Sequence, residues 1–200
     1  MIQGEKIELR ARIEADVPIL HAELYEDVLV RSRGDTRPWH PVASGPHSPF
    51  AVAEPNDDAA IFTVVERTTG EVAGEAVLWG IDVHNRTGHL GLALRPSFRG
   101  RSLGADLVRV LCEYGFAVRG LHRLGIETLA DNAAMRGVAL RAGFTHEGTL
   151  RRSAWVYGEF LNEVIFGLLA EEWTAGQGQA KTRAAGAAST RTQPPAPGRE

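Results

Sequence analysis

Between Gly88 and Val118 the hydrophobic pattern changes period, and the join between the two periods narrows the folds open to this chain. Gly88 to Arg95 reads as a strand, and Pro96 stops it because proline has no amide to give a ladder. Leu103, Leu107, Val110, Leu111, Tyr114 and Val118 then recur at helical spacing, with Asp106, Arg109 and Glu113 marking an opposite polar face. The join itself is Ser97-Phe98-Arg99-Gly100-Arg101-Ser102-Leu103-Gly104. A strand that turns tightly into an amphipathic helix leaves the first-turn amides without internal acceptors. With the helix dipole those amides form an anion site. Gly100 and Gly104 allow close backbone approach, and Arg99 and Arg101 add positive charge, so a phosphate or pyrophosphate is the natural ligand. The segment lacks the Gly-Lys-Ser/Thr of a P-loop, which argues against NTP hydrolysis. A glycine-rich turn before a helix is also found as a plain turn, and the local chemistry leaves both readings open.

The rest of the chain places this join in an α+β order. Lys6 to Arg12 reads as a strand, and Asp16 as the N-cap of a helix that reaches about Asp27, with Pro18 near its start. Residues 31 to 60 carry Gly34, Pro38, Pro41, Gly45, Pro46, Pro49 and Pro55 and read as a long loop with room for one helical turn. Loops of that length in compact domains are often functional. Ile61 to Arg67 and Glu71 to Ile81 form a hairpin about Thr69-Gly70. Arg123 to Leu129 is a strand, Asn132 to Arg141 a helix with Gly143 as its stop, and Phe144 to Leu150 and Glu159 to Leu169 a closing antiparallel pair.

With 200 residues and 44% apolar content, residues 1–173 suffice for one domain with a substantial core. Residues 174–200 are rich in Ala, Gly, Thr and Pro, nearly free of large apolar side chains, and are expected to be a disordered tail. A formal net charge of -3 with 24% charged residues argues against a general nucleic-acid binder or a membrane-surface protein. No apolar run is long enough to span a bilayer, and no secretory leader is visible. The single cysteine, Cys112, excludes an intramolecular disulfide framework and points to a reducing, cytoplasmic setting. The seven histidines and one cysteine show no zinc spacing, so no metal is expected.

Two motifs together resemble the GNAT superfamily of N-acetyltransferases. Its cofactor signature is Gln/Arg-x-x-Gly-x-Gly/Ala at a strand-to-helix turn. Arg99 and Gly104 match the ends, Gly100 and Arg101 a common filling, and Ser102 stands where the central glycine usually is. Downstream, Asn132-Ala133-Ala134-Met135-Arg136 and Arg141-Ala142-Gly143-Phe144 look like the Asn-x-x-Ser…Glu-Lys-x-Gly-Phe element of the Rim-type branch, which acetylates protein N-termini or small-molecule amines. Glu147 to Arg151 and the apolar strand Val164 to Leu169 resemble that branch too, and the likeness covers about residues 5 to 172. The fold it implies is a mixed central sheet of about seven strands with two splayed parallel strands and about four helices. The activity it implies is transfer of acetyl from acetyl-CoA to a primary amine in a ternary complex. A homodimer is compatible with the resemblance.

By that resemblance the splayed strands are Gly88 to Arg95 and Arg123 to Leu129, with the pantetheine arm between them. Leu92, Ala93 and Leu94 would offer backbone groups to its amides, and an N–H near Leu92 would support the thioester oxyanion. The amides of Arg101, Ser102, Leu103, Gly104 and Ala105 would hold the pyrophosphate, Ser102 doubling as helix cap. Asn132 and Arg136 would flank the pantetheine and phosphate end. His89 is the candidate general base, on the strand that reaches the acyl group, with Glu127 the second candidate. Either residue also fits a purely structural role. The tyrosine many members use as general acid falls here at Ala139, and the Rim-type serine at Met135. Trp39, His40 and Trp155 would shape the amine pocket. The absent hydroxyls keep open a second reading, a catalytically weak or inactive acyl-CoA-binding module, which turnover with any amine would exclude.

Overall fold

Alternating apolar residues commit most of the chain to one eight-stranded sheet, in a computed structural model that describes residues 1–35 and 37–174. The strands are β1 (Ile2–Gln3), β2 (Ile7–Ala11), β3 (Ala60–Glu66), β4 (Val72–Asp82), β5 (Thr87–Leu94), β6 (Arg123–Leu129), β7 (Thr145–Val156) and β8 (Glu159–Leu169). Their order is β1-β2-β3-β4-β5-β6-β8-β7, antiparallel throughout except where β5 meets β6. The two-residue β1 is the strand beyond the expected seven. The helices are α1 (Asp16–Leu24), α2 (Val28–Gly34), α3 (Leu103–Glu113) and α4 (Ala133–Arg141), with a 3-10 turn at Pro96–Phe98 and one π turn at Tyr114–Val118. Residues 170–174 are also helical. The expected tail, apart from Thr174, lies outside the described residues. No helix among the described residues is long and apolar enough to cross a membrane.

Several sequence expectations need correction: among them, the closing strand expected as Phe144 to Leu150 runs on to Val156 as β7. The first helix stops at Leu24, and Asp27 starts α2 by accepting from the amides of Leu29 and Val30. The long loop therefore begins only after Gly34. Asp16 does not cap α1: Ala15 holds that position, and the Asp16 carboxylate instead accepts from Arg10, the Ile13 amide and the Thr63 hydroxyl. The apolar stripe of the cofactor helix ends early, because the π turn rotates the last residues and leaves Val118 66% exposed.

α3 and α4 cover one face of the sheet, where Leu107 and Leu111 join Leu78, Leu90, Leu124 and Ile126 in one core. Full burial of each such leucine is worth about 1.5–3 kcal/mol. α1 covers the other face, where Leu20, Leu24, Tyr25 and Phe50 pack with Ala93 and Val72. Leu92 and Leu94 point to the first core and Ala93 to the second, as alternation along a strand demands.

Asp106, expected on the polar face, is buried and accepts from the amides of Lys6 and Ile7, with Arg109 beside it. It thereby pins the start of β2 onto α3. Burial pushes its carboxyl up, but the Lys6 amide, Arg109 and further amides outweigh burial and hold it below the ordinary range. A carboxylate depressed in the folded state contributes stability above its unfolded pKa and loses it as pH falls through the folded value. Unfolding monitored from neutral to acid pH should therefore show stability declining below about pH 4. Asp106→Asn should be less stable at neutral pH and should show a flatter acid limb. An unchanged acid limb would rule out this carboxylate as a contributor.

Candidate active site

The sheet holds together at β5–β6 by only three register pairs, Thr87–Arg123, Gly88–Leu124 and His89–Gly125. Beyond His89 the strands part. β5 stays paired with β4 as far as Leu94, and β6 stays paired with β8 as far as Leu129. The gap between them is lined by unpaired backbone. Arg95 donates its amide to the Ala73 carbonyl, toward β4. Ala93, two residues back on a regular strand, turns its peptide groups the same way, so those of Leu92 and Leu94 face the gap. The Leu94 carbonyl accepts from Arg99 Nε at 3.0 Å. Of the three expected contributors, two therefore offer backbone to the gap, and Ala93 offers its methyl to the α1 face.

At the gap's open end the chain enters the loop before α3. Gly100 adopts φ +76, with open space where a Cβ would stand. Among the described residues the amides of Arg101, Ser102 and Leu103 have no protein acceptor. Gly104 faces Val138 of α4, whose Cγ2 would lie 3.6 Å from an added Cβ, an ordinary contact, so packing against α4 does not demand glycine here. Ala105 follows within the first turn of α3. Arg101 is less free than its sequence position suggests: it pairs with Glu66 at 3.2 Å and lies over the Phe98 ring. Among the described residues the terminal guanidinium nitrogens of Arg99 have no partner. The loop thus has the free amides, the backbone exposure and the cation that a pyrophosphate needs.

Ser102 does not act as a side-chain cap. It sits at the N-cap position with φ 63, and no side-chain cap bond is formed. A left-handed conformation costs a non-glycine residue about 1–2 kcal/mol, whereas glycine loses about 0.5–1 kcal/mol more backbone entropy on folding. Ser102→Gly should therefore gain about 0.5–1 kcal/mol in urea unfolding. A loss of stability in the variant would show that the serine makes a compensating contact.

Asn132 caps α4 through its oxygen, accepting from the Met135 amide, and donates from its nitrogen to Thr128 at 3.0 Å. Arg136 is exposed and holds the Ala130 carbonyl at 2.9 Å. Both fix the β6–α4 junction beside the gap. Ala139 is fully buried and Met135 packs on the core, so neither position supplies a hydroxyl.

His89 and Glu127 lie on the same face of β5 and β6, at the point where the strands part. Their closest atoms, Nδ1 and Oε1, are 3.6 Å apart, and the side chains are 34% and 38% exposed. Nδ1 itself is buried and has no hydrogen-bond partner. The imidazole stacks on Trp79, with ring centres 4.7 Å apart. Gly125 leaves the room: a Cβ there would meet Nδ1 at 2.9 Å. Trp79 is thus a wall of this site.

A cavity of about 540 Å³ opens between α2, the segment that follows it and the β7–β8 turn. Trp39, Trp155 and its turn neighbour Tyr157 line it, joined by Asp35 and Arg37, which the sequence did not single out. Trp39 is held by its indole N–H on the Tyr25 carbonyl, and Tyr157-Gly158, both at positive φ, makes the tight hairpin turn. His40 does not line the cavity; its side chain is exposed and its backbone is fastened to the Tyr25 hydroxyl. Asp35 and Arg37 bring a polar edge that only the three-dimensional packing reveals.

Residues 6–145 match the family model described as Acetyltransferase (GNAT) domain. The chain belongs to the GNAT family. Among curated proteins it is 31% identical over 104 residues to "Putative ribosomal N-acetyltransferase YdaF" of Bacillus subtilis, covering 52% of this chain and 57% of that one. It is 27% identical over 113 residues to spermidine N(1)-acetyltransferase of Escherichia coli, covering 54% and 61%. The chain thus spans about three fifths of the length of these two relatives. In fold it resembles spermidine N-acetyltransferase from Vibrio cholerae in complex with CoA and spermine, with a TM-score of 0.72, 17% identity, and coverage of 84% of this chain and 98% of that one. A GNAT-family acetyltransferase from Bacillus anthracis superimposes with a TM-score of 0.68 at 16% identity, covering 85% and 98%.

Proposed function

We propose that this GNAT chain is an N-acetyltransferase that moves the acetyl group of acetyl-CoA to a primary amine by direct attack. The observation that carries the reading is the placement of His89 and Glu127, facing each other where β5 and β6 separate. When bound, acetyl-CoA supplies an activated thioester. The amides of Arg101, Ser102 and Leu103 with Arg99 hold its phosphates, and the backbone of Leu92 and Leu94 holds the pantetheine. His89, directly or through a water, takes the proton from the incoming ammonium, and Glu127 steadies the imidazolium that results. The freed amine attacks the thioester carbonyl, the C–S bond breaks as the C–N bond forms, and the CoA thiolate leaves with the second proton of the attacking nitrogen. Orientation of amine and thioester in the cleft supplies the rest of the rate. The cavity beside Trp39 and Trp155 receives the acceptor. A reducing cytoplasm fits the single, fully buried thiol of Cys112.

Calorimetry with acetyl-CoA tests the cofactor half of this reading. Arg99→Ala should weaken binding about tenfold, and Arg101→Ala, whose guanidinium is already engaged by Glu66, only two- to threefold or so. An intact protein that fails to bind acetyl-CoA would sink the assignment. A chain that binds acetyl-CoA tightly yet releases thiol with no amine would instead be an acyl-CoA-binding module. That second reading draws on Ala139 and Met135, which replace the hydroxyl-bearing residues of active members.

A further inference from the structure

The charge balance at the cavity carries the acceptor assignment further. Three aromatic side chains, Trp39, Trp155 and Tyr157, line the walls, and Trp155 and Tyr157 are 59% and 67% exposed. Such walls would suit either a planar apolar group or a cation. The neighbouring charges decide between them. The carboxylate in the lining, Asp35, is gripped from two sides: Arg37 reaches it through Nε at 3.0 Å and Nη2 at 2.6 Å, and Arg31 pairs with it from α2. Burial pushes Asp35 up, but Arg37 and Arg31 outweigh that and hold it below the ordinary range, ionised and fully committed. The other acid whose charge reaches Arg37 is Glu75, which already pairs with the buried Arg12 at 2.6 Å. Three guanidinium groups therefore face two carboxylates. Arg37, 75% exposed, carries the surplus positive charge at the cavity edge.

We propose that the cavity receives the non-reacting end of the amine acceptor, and that this end is an aromatic group bearing a carboxylate rather than a second ammonium. The proposal rests on the cavity being the acceptor site of the reading above. Rings pack against Trp39 and Trp155, and the carboxylate pairs with Arg37. A polyamine meets the same rings but finds the one carboxylate of the lining, Asp35, already paired, and is repelled by Arg37.

The test is a binding titration into protein saturated with CoA, followed by tryptophan fluorescence and calorimetry, with para-(aminomethyl)benzoate, benzylamine and spermidine as probes. The expected order is carboxylate tightest, benzylamine next and spermidine weakest. Arg37→Glu should shift the preference between the carboxylate and spermidine by about tenfold or more toward spermidine. Trp155→Ala should weaken both aromatic probes and leave CoA affinity unchanged. Spermidine binding as tightly as the carboxylate, no binding of any probe, or an Arg37→Glu variant with unaltered preference would each overturn the proposal. Thiol release is read separately. Tight aromatic binding without turnover would fell the transferase reading alone, and turnover of spermidine with weak aromatic binding would fell this proposal alone.

Discussion

His89→Ala should lower kcat/KM for any accepted amine by about 10²- to 10⁴-fold at neutral pH, with acetyl-CoA affinity unchanged. The size of the effect follows from placement. The imidazole stands at the fork of β5 and β6, its Nδ1 is shielded and unpartnered, and Trp79 fixes its plane. Removing it leaves the attacking amine to lose its proton to solvent. Glu127→Gln should cost less, about tenfold, because it keeps shape and removes only the charge that steadies the imidazolium. Steady-state kinetics beside CoA calorimetry would read both. A loss below about threefold in His89→Ala would assign the proton transfer elsewhere, and parallel loss of CoA affinity would make His89 a structural residue of the fork.

Arg12→Ala should be the most destabilising single change, about 3–5 kcal/mol by urea unfolding. The Arg12 side chain is 3% exposed, pairs with Glu75, donates to the carbonyls of Phe50 and Phe62, and lies over the Phe50 ring. Truncation strands Glu75 in a mostly buried place and cuts the loop after α2 from the sheet. Arg12→Met, which fills the volume, should still lose stability but less than alanine. The loop forms one wall of the cavity proposed for the acceptor, so a folded Arg12 variant should also show a raised KM for the amine and an unaltered KM for acetyl-CoA. A loss below about 1 kcal/mol would mean that Glu75 finds another partner in Arg37.

The parts legible from sequence are those decided by local pattern. Arg123–Leu129 and Glu159–Leu169 have the expected bounds because apolar residues fill them densely and turn residues frame them. The strand-loop-helix join was legible for the same reason. Misses trace to long-range partners. Val28-Leu29-Val30 looks unlike a helix start, and α2 forms because Asp27 satisfies its first amides. Asp106 looked solvated because nothing local shows that the amides of Lys6 and Ile7, a hundred residues away, would need it. Ser102 looked like a cap because its left-handed backbone is a property of the loop. His89 and Glu127 were legible as residues, but their facing one another depends on the β5–β6 register. Arg101 lost its apparent freedom to Glu66, thirty-five positions earlier.

The three rungs between β5 and β6 give the molecule the mechanics of an open book. Strands β1 to β5 form one leaf and β6 to β8 the other, with Thr87 to His89 as the spine. The dihedral between the leaves sets the width of the gap in which, on the transferase proposal, thioester and amine would meet. His89, at the last bound rung, turns with that dihedral. On the transferase proposal, side chains packed under the spine, such as Leu121 against Gly88, would therefore bear on turnover without touching either substrate, because they fix how far the book stands open.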